Sequence, residues 1–240
     1  MTVFMTSSPC IIGAERAILS PANGFIDNLK ASLPPRPRAL FVCSNPDTPG
    51  ETDNFGRDIC GAIVEAGIAV SKWSVLDGRN EKDAQLLIWQ SDLIVLAGGH
   101  VPTQNLFFQK ISLGKLLKNY QGVILGISAG SMNCARRAYA QPEEPGESRP
   151  DFRRFYPGLG LSEINILPHY QQVKDRLIDG KRLFEDVTYI DSIGESFLSL
   201  VDGSYVLEKN GETTLYGEAY AITGGKFFQI SHEDDIVPLG

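Results

Sequence analysis

The chain has 240 residues, a formal net charge of −7 and a pI near 5.0, and 42% of its residues are hydrophobic. This length suits one globular domain with a sizeable core, and we predict a single catalytic domain over residues 1–240. The negative charge excludes a general nucleic-acid binder, which needs a basic face. An acidic small substrate is still allowed, because a local basic pocket can coexist with a negative total charge.

The distribution of cysteines and apolar residues narrows the class of protein further. The four cysteines show no paired metal-ligand spacing, so neither a zinc site nor a disulfide framework is expected. The first ten residues lack the regions of a signal peptide, and no apolar run approaches the roughly 18 residues of a membrane span. We therefore expect a cytoplasmic protein with no nucleic-acid or membrane partner. The oligomeric state stays open, with a homodimer as one option.

Strand and helix patterns alternate through the first two thirds of the chain. Short apolar runs predict strands at residues 3–6, 39–43, 69–75, 93–96 and 122–125. Helical spacing and breaker residues predict helices at residues 23–33, 55–66, 81–89, 103–119 and 132–138. This alternation indicates an α/β fold with a mostly parallel sheet and helices on both faces.

The last third of the chain has a different pattern. Residues 141–157 are rich in Pro, Glu and Arg, and we predict an exposed loop there. A strand over residues 164–167 and a helix over residues 173–184 follow. After residue 196, short runs are separated by Asp-Gly, Asn-Gly and Gly-Gly pairs. Such pairs predict turns, and so antiparallel strands near the C-terminus.

The stretch GISAGSMN, residues 126–133, lies between a predicted strand and a predicted helix. It contains the pattern G-x-S-x-G centred on Ser128, which in this context is typical of a nucleophile elbow. The free N–H groups at the start of the following helix suit a developing oxyanion. Another glycine loop, Gly98-Gly99-His100, comes earlier in the chain and is called the first glycine loop. It follows the strand over residues 93–96, and ligands of open α/β sheets bind at such strand ends. Ser128 is therefore a candidate nucleophile, and a tight turn with a small residue is the alternative.

A serine nucleophile needs a general base, and the chain has three histidines. His100 lies on the first glycine loop. His169 follows the predicted strand over residues 164–167, which places it at the same edge of the sheet. His232 lies near the C-terminus. Any one of them taken alone is more simply a structural or exposed histidine.

Four short motifs occur in order along the chain: the glycine pair at 98–99, S-A-G-S at 128–131, G-L-G-L at 158–161 and P-H-Y at 168–170. Together they resemble the peptidase E and cyanophycinase family of serine peptidases. The resemblance covers roughly residues 93–170 with motifs. It implies the fold of class I glutamine amidotransferases, a three-layer sandwich, with serine in place of the cysteine nucleophile.

The resemblance also implies a catalytic triad. Ser128 would be the nucleophile and His169 its base. The third member would be an acid about fifteen residues after the serine, where Glu143 matches best and Glu144 is adjacent. Without the resemblance, both glutamates are interpreted as part of a solvated acidic loop.

The implied reaction is hydrolysis of small peptides through an acyl-enzyme. The backbone N–H groups of Gly99 and Ala129 would stabilise the oxyanion, and neither a metal nor an organic cofactor is required. The first glycine loop lacks the third glycine and the asparagine that the family usually carries, which leaves the shape of the pocket undetermined.

Peptidase E cleaves dipeptides with an N-terminal aspartate, so an acidic side chain would need a cation in this chain. No basic residue matches a family motif, and ordinary surface charge is the favoured interpretation of each one. The candidates are Arg149, Arg153, Arg154, Lys174, Arg176 and Arg182.

Three other functions remain open at this stage. An α/β-hydrolase esterase shares G-x-S-x-G but would use His232 as base, with Asp175 or Asp202 as acid. The spacing of about 40 residues between Ser128 and His169 is short for that fold. The second alternative is an amidotransferase-like domain that binds a ligand without catalysis. The third is a structural or interaction protein, which no large apolar stripe supports.

Overall fold

The computed structural model describes residues 1–239, which contain sixteen strands and eight α-helices. The strands are β1 (Thr2–Thr6), β2 (Arg38–Val42), β3 (Lys72–Leu76), β4 (Leu93–Leu96), β5 (Val123–Ile127), β6 (Arg137–Tyr139), β7 (Phe155–Pro157), β8 (Asn165–Leu167), β9 (Leu177–Ile178), β10 (Lys181–Arg182), β11 (Ser196–Leu200), β12 (Tyr205–Lys209), β13 (Glu212–Tyr216), β14 (Ala219–Thr223), β15 (Lys226–Ser231) and β16 (Ile236–Pro238). The helices are α1 (Phe25–Ser32), α2 (Pro49–Glu65), α3 (Ala84–Trp89), α4 (Val101–Lys110), α5 (Leu113–Leu117), α6 (Ala129–Met132), α7 (Tyr170–Val173) and α8 (Tyr189–Asp191).

Eight strands form the central sheet, in the order β16-β13-β12-β1-β5-β4-β2-β3. The five strands from β1 to β3 in this order are parallel to one another, whereas β12, β13 and β16 pair antiparallel. The predicted fold class, a mostly parallel α/β sheet with antiparallel strands near the C-terminus, is confirmed.

Helices cover both faces of this sheet because its strands carry apolar side chains on both sides. On β2, Leu40 and Val42 belong to a core that includes residues of α3, α4 and α5. Ala39 and Phe41 alternate with them and belong to a second core that includes residues of α1 and α2. The result is the predicted sandwich of three layers.

A second sheet has four strands, in the order β15-β14-β11-β8. Within it β8 and β11 run parallel, with Leu167 opposite Ser199. The segments that follow these two strands therefore leave the sheet at the same edge. Within residues 1–239, no helix has the length and apolar character needed to cross a membrane.

The helix predicted over residues 173–184 is wrong. The segment forms the β9–β10 hairpin and then a π-helical turn, Leu183–Thr188. Asp179 and Gly180 have φ values of 51° and 78° at the tip of the hairpin. An Asp-Gly pair with two positive φ angles is the turn that best matches the twist of a two-residue hairpin, and it prevails over the weaker helical spacing.

Two other predicted helices are shorter than expected. The segment over residues 103–119 divides into α4 and α5 at Ser112, where φ is 54°. The helix predicted over residues 132–138 ends at Met132, because the carbonyl groups of Asn133 and Cys134 accept hydrogen bonds from Leu159 and Leu161. These contacts direct the chain into β6, which pairs with β7.

Candidate active site

Ser128 lies between β5 and α6, at the carboxyl edge of the central sheet. Its backbone has φ 49° and ψ −110°, a conformation that L residues rarely adopt and that surrounding contacts must hold in place. The Ser128 N–H donates to the carbonyl oxygens of Thr6 and Ser7, at 3.2 and 3.1 Å. The predicted strand and sharp turn are therefore present, and the helix that follows the serine spans Ala129–Met132 instead of residues 132–138.

The two glycines of the G-x-S-x-G pattern allow α6 to pack closely on the sheet. A Cβ at Gly126 would lie 2.8 Å from Ser131 Cα, and a Cβ at Gly130 would overlap the carbonyl oxygen of Leu96. The positive φ belongs to Ser128 itself. The glycines therefore act by removing side-chain volume next to the serine.

His169 connects Ser128 to an aspartate. The Nε2 atom of His169 lies 2.9 Å from Ser128 Oγ, and its Nδ1 atom lies 2.7 Å from Asp202 Oδ1. An ionised carboxylate can only accept, so Nδ1 carries the proton and Nε2 accepts from the serine hydroxyl. This is the arrangement in which an imidazole can remove the serine proton.

Asp202 is held by several donors in addition to His169. Its side chain is 1% exposed. Ser7 Oγ donates to Oδ1 at 2.6 Å, and the side-chain amides of Gln171 and Gln172 donate to Oδ2 at 2.7 and 2.6 Å. Burial raises the pKa of Asp202, but the hydrogen bonds that it accepts from His169, Ser7 and Gln172 prevail and hold the pKa below its usual value. The carboxylate is therefore ionised when it orients the imidazole.

The second sheet brings His169 and Asp202 together. His169 follows β8 by two residues and Asp202 follows β11 by two residues, and the two strands are parallel neighbours. The His169 backbone has φ 62°, and its N–H donates to Ser7 Oγ at 2.7 Å. Ser7 thus contacts both residues from the end of β1.

The structure corrects the role predicted for Glu143. Asp202 occupies the Nδ1 side of His169, and in the described part of the chain Glu143 makes no hydrogen bond to the ring. Glu143 instead lines the cavity in front of Ser128, while the neighbouring Glu144 is exposed. Glu143, fifteen residues after the serine, therefore lines the cavity but does not contact Nδ1 of His169.

Sequence reasoning did not assign Asp202 to His169, and it missed Ser7. From the sequence, Asp202 is a candidate acid only for an esterase that uses His232, because it lies between Ser128 and that histidine, and Asp202-Gly203 otherwise has the pattern of a turn. One signal in the sequence could have identified Asp202. It follows the apolar run of β11, just as Ser128 and His169 follow the ends of other strands. Ser7 follows β1 in the same way.

The other two histidines do not contact Ser128. His100 Nε2 lies 2.9 Å from Glu147 Oε1, and His100 Nδ1 lies 2.8 Å from Thr103 Oγ1. His232 is exposed, and its Nδ1 lies 3.1 Å from the amide nitrogen of Gln229. The serine, histidine and aspartate arrangement therefore does not support an esterase that uses His232.

A cavity of about 300 Å³ lies in front of Ser128 and His169. Gly99 borders it with φ +152°, and a Cβ there would lie 2.5 Å from Ser44 Cβ, so the first glycine loop requires glycine at this position. The buried Ala129 begins α6 on the other side of the serine. A larger cavity of about 540 Å³ lies at the opposite ends of β8 and β11 and contains none of the three linked residues.

Of the six basic candidates, Arg176 lines the catalytic cavity. Its guanidinium donates to the carbonyl oxygen of Glu143 at 2.6 Å. Three of the others are engaged elsewhere: Arg153 lies over the Tyr156 ring, Arg154 pairs with Asp191, and Arg182 pairs with Asp186.

Comparison with known proteins identifies the fold. No protein-family model matches the chain, and no curated protein matches its sequence significantly. Among solved structures, a peptidase from an acI-B1 Actinobacterium matches with a TM-score of 0.66 at 13% identity, over 99% of this chain and 96% of that chain. The chain has the fold of that peptidase. A candidate peptidase E protein from Listeria monocytogenes EGD-e also matches, with a TM-score of 0.61 at 15% identity, over 96% of this chain and 98% of that chain.

The resemblance to peptidase E noted in the sequence is thus confirmed at the level of the fold. At this sequence identity the likeness concerns the fold, and a fold can host different activities. The function has to be argued from the geometry around Ser128.

Proposed function

We propose that the chain is a serine-type peptidase that hydrolyses small peptides through an acyl-enzyme, as one catalytic domain. The single observation that carries this proposal is the hydrogen-bonded chain from Ser128 Oγ through the His169 ring to the buried Asp202 carboxylate. This series of hydrogen bonds ends at Ser128, which has a strained backbone and borders a cavity. The fold shared with two peptidases supports the same conclusion.

In the first half of the reaction, Ser128 Oγ attacks the amide carbonyl while its proton passes to His169 Nε2. Asp202 keeps the proton of the ring on Nδ1 and stabilises the imidazolium that forms. The same proton then passes from Nε2 to the leaving amine, and the C–N bond breaks. In the second half, water loses a proton to Nε2 and attacks the acyl-serine. The C–Oγ bond then breaks, the proton passes from Nε2 to Ser128 Oγ, and the acid is released.

The oxyanion formed in each half needs donors on the other side of the carbonyl group. We assign these to the backbone N–H groups of Gly99 and Ala129, which border the serine from the first glycine loop and from the start of α6. The first N–H groups of a helix have no partner within the helix. Each such donor is worth roughly 3 kcal/mol in the transition state.

The size of the cavity supports a small substrate. A volume of about 300 Å³ is at the low end of the roughly 300–1,000 Å³ that ligand pockets usually have. A short peptide fits this volume better than a segment of a folded protein. Arg176, which lines the cavity, is the cation that we assign to an acidic N-terminal side chain, as in an aspartyl dipeptide.

The test is a dipeptide library screened with the wild type and with Ser128→Ala, together with labelling by a fluorophosphonate. We expect hydrolysis and labelling by the wild type, and loss of both in Ser128→Ala at an unchanged melting temperature. Ser196→Ala is the matched control, because that hydroxyl is exposed and hydrogen bonds to Thr223. Hydrolysis that persists in Ser128→Ala would contradict the proposal.

A further inference from the structure

Glu143 has an unusual combination of a fixed backbone and an unpaired side chain. Its N–H donates to Glu147 Oε2 at 2.8 Å, and its carbonyl oxygen accepts from Arg176 at 2.6 Å. Within the described residues, no group donates a hydrogen bond to its side-chain carboxylate. The residue is half-buried and lines the same cavity as Ser128 and His169. The fold therefore holds a free acceptor in front of the nucleophile.

Opposing effects act on the pKa of the Glu143 carboxyl group. Burial raises the pKa of Glu143 above 4.5, and the nearby charge of Glu147 raises it further. The positive charge of Arg176 acts in the opposite direction, as do His100 and His169 when they are protonated. The carboxylate faces the cavity, so a cationic donor group of a ligand bound there can form a charge-assisted hydrogen bond with it.

The kind of ligand follows from the two groups that Glu143 already contacts. Its backbone is occupied by Glu147 and Arg176, so only the carboxylate oxygens are available. The complementary group is compact, cationic and rich in donors, and a primary ammonium with three N–H donors fits this description. In a peptide, that group is either the free N-terminal amine or a lysine-type side chain.

We propose that Glu143 binds a primary ammonium group of the substrate and thereby selects peptides that carry this group beside the scissile bond. The proposal rests on the proposed peptidase function and names a residue that determines its specificity. Pairing of an ammonium with Glu143 holds the neighbouring carbonyl group in front of Ser128. A substrate without the ammonium leaves the carboxylate unpaired and is cleaved less efficiently.

The experiment compares three p-nitroanilides that differ in the position of the amine. Alanyl-p-nitroanilide has a free α-amine, propionyl-p-nitroanilide has none, and Nα-acetyl-lysyl-p-nitroanilide has only a side-chain amine. The readout is the ratio of kcat/KM for each amine to that for the propionyl compound. We expect the wild type to prefer one amine by roughly 10- to 150-fold, the range for a hydrogen bond to a charged group. Preference for the alanyl compound assigns the α-amine, and preference for the lysyl compound assigns the side chain.

The decisive variant is Glu143→Gln, which keeps the shape of the side chain and removes its charge. We expect the preference ratio to fall toward one in this variant and to persist in Glu144→Gln, whose side chain is exposed. In the wild type the ratio should also fall at low pH as Glu143 takes up a proton, and above about pH 8 as an α-amine loses one. A ratio near one in the wild type, or an unchanged ratio in Glu143→Gln, overturns the inference.

A binding measurement separates failure of this inference from failure of the proposed function. NMR titration of Ser128→Ala with alaninamide, 1,5-diaminopentane and propionamide needs no turnover. We expect one of the two amines to bind more tightly than propionamide, and Glu143→Gln in the same background to remove the difference. Equal binding of all three probes overturns the inference even if peptides are hydrolysed. Amine binding that depends on Glu143 without hydrolysis by the wild type leaves the inference standing and overturns the peptidase.

Discussion

This molecule contains two hydrogen-bonded chains of side chains, each made of a hydroxyl, an imidazole and a carboxylate. The hydrogen-bond lengths in the two are almost the same. In the first, His169 joins Ser128 to Asp202 at 2.9 and 2.7 Å. In the second, His100 joins Thr103 to Glu147 at 2.8 and 2.9 Å. Hydrogen-bond geometry alone therefore does not distinguish a catalytic histidine from a structural one.

The difference lies in where the hydroxyl is placed. Ser128 has a strained backbone at a strand end and borders the cavity. Thr103 lies in the first turn of α4, only three residues after His100, so its contact is local. The His100 ring is also oriented the opposite way to that of His169, with Nδ1 toward the hydroxyl and Nε2 toward the carboxylate.

The second chain ties two loops together. Glu147 accepts from His100 and also from the backbone N–H groups of Glu143 and Glu144, at 2.8 and 3.1 Å. Arg154 donates to the Glu147 carbonyl oxygen. Residues 141–157, predicted as an exposed loop, are therefore partly buried and anchored beside the active site. We propose that the first chain performs the chemistry, whereas the second positions the wall of the cavity.

The largest expected difference between the two chains comes from removing each imidazole. We expect His169→Ala to lower kcat by roughly 10⁶-fold, because the serine loses its base. His100→Ala should lower it by at most roughly tenfold, because only the position of the loop changes. The measurement is kcat/KM on the best peptide from the library. Equal losses in the two variants would mean that the chains have been assigned to the wrong roles.

The next largest difference comes from neutralising each carboxylate. Asp202→Asn should lower kcat by roughly 10⁴-fold, since an amide no longer holds the proton of the ring on Nδ1. Glu147→Gln is the matched change in the other chain and should have a much smaller effect on kcat. Steady-state kinetics on both variants, with melting temperatures as a folding control, checks this. A loss of kcat in Glu147→Gln as large as that in Asp202→Asn would contradict the separate roles assigned to the two carboxylates.

The smallest expected effect is on stability and its pH dependence. Burial raises the pKa of Glu147, but the backbone N–H groups of Glu143 and Glu144 and the His100 ring prevail, and the pKa is lowered below 4.5. A carboxyl group whose pKa is lower in the folded state stabilises the protein above its unfolded pKa, and that stabilisation is lost as the pH falls through the folded value. The free energy of unfolding should therefore be roughly 1–3 kcal/mol lower in Glu147→Gln at pH 7. The difference should shrink as the pH falls below 4.5 and through the lower pKa of the folded state.

Urea unfolding of the wild type, Glu147→Gln and Glu144→Gln at several pH values measures this difference. The Glu144 side chain is exposed, so its variant should follow the wild type at every pH. A difference for Glu147→Gln that stays constant down to pH 3 would show that the carboxylate stabilises the loop by packing and not by charge.

Much of the fold and part of the site could be predicted from the sequence, because their signals are local. Apolar runs and glycine breaks lie within a few residues of each strand, and the parallel sheet follows from their alternation. Ser128 is recognisable for the same reason, since its glycines and the flanking strand and helix are contiguous. His169 follows a short apolar strand and a proline in the same way.

The partner of His169 was decided by the tertiary structure alone. Asp202 lies 33 residues after His169, and only the parallel pairing of β8 with β11 brings the two together. Nothing in the local sequence separates an aspartate in a turn from one that orients an imidazole, and the family resemblance implied Glu143 for that role. Local patterns determine which strands and helices form. The register between distant strands determines which side chains meet, because it depends on how whole elements pack in the core.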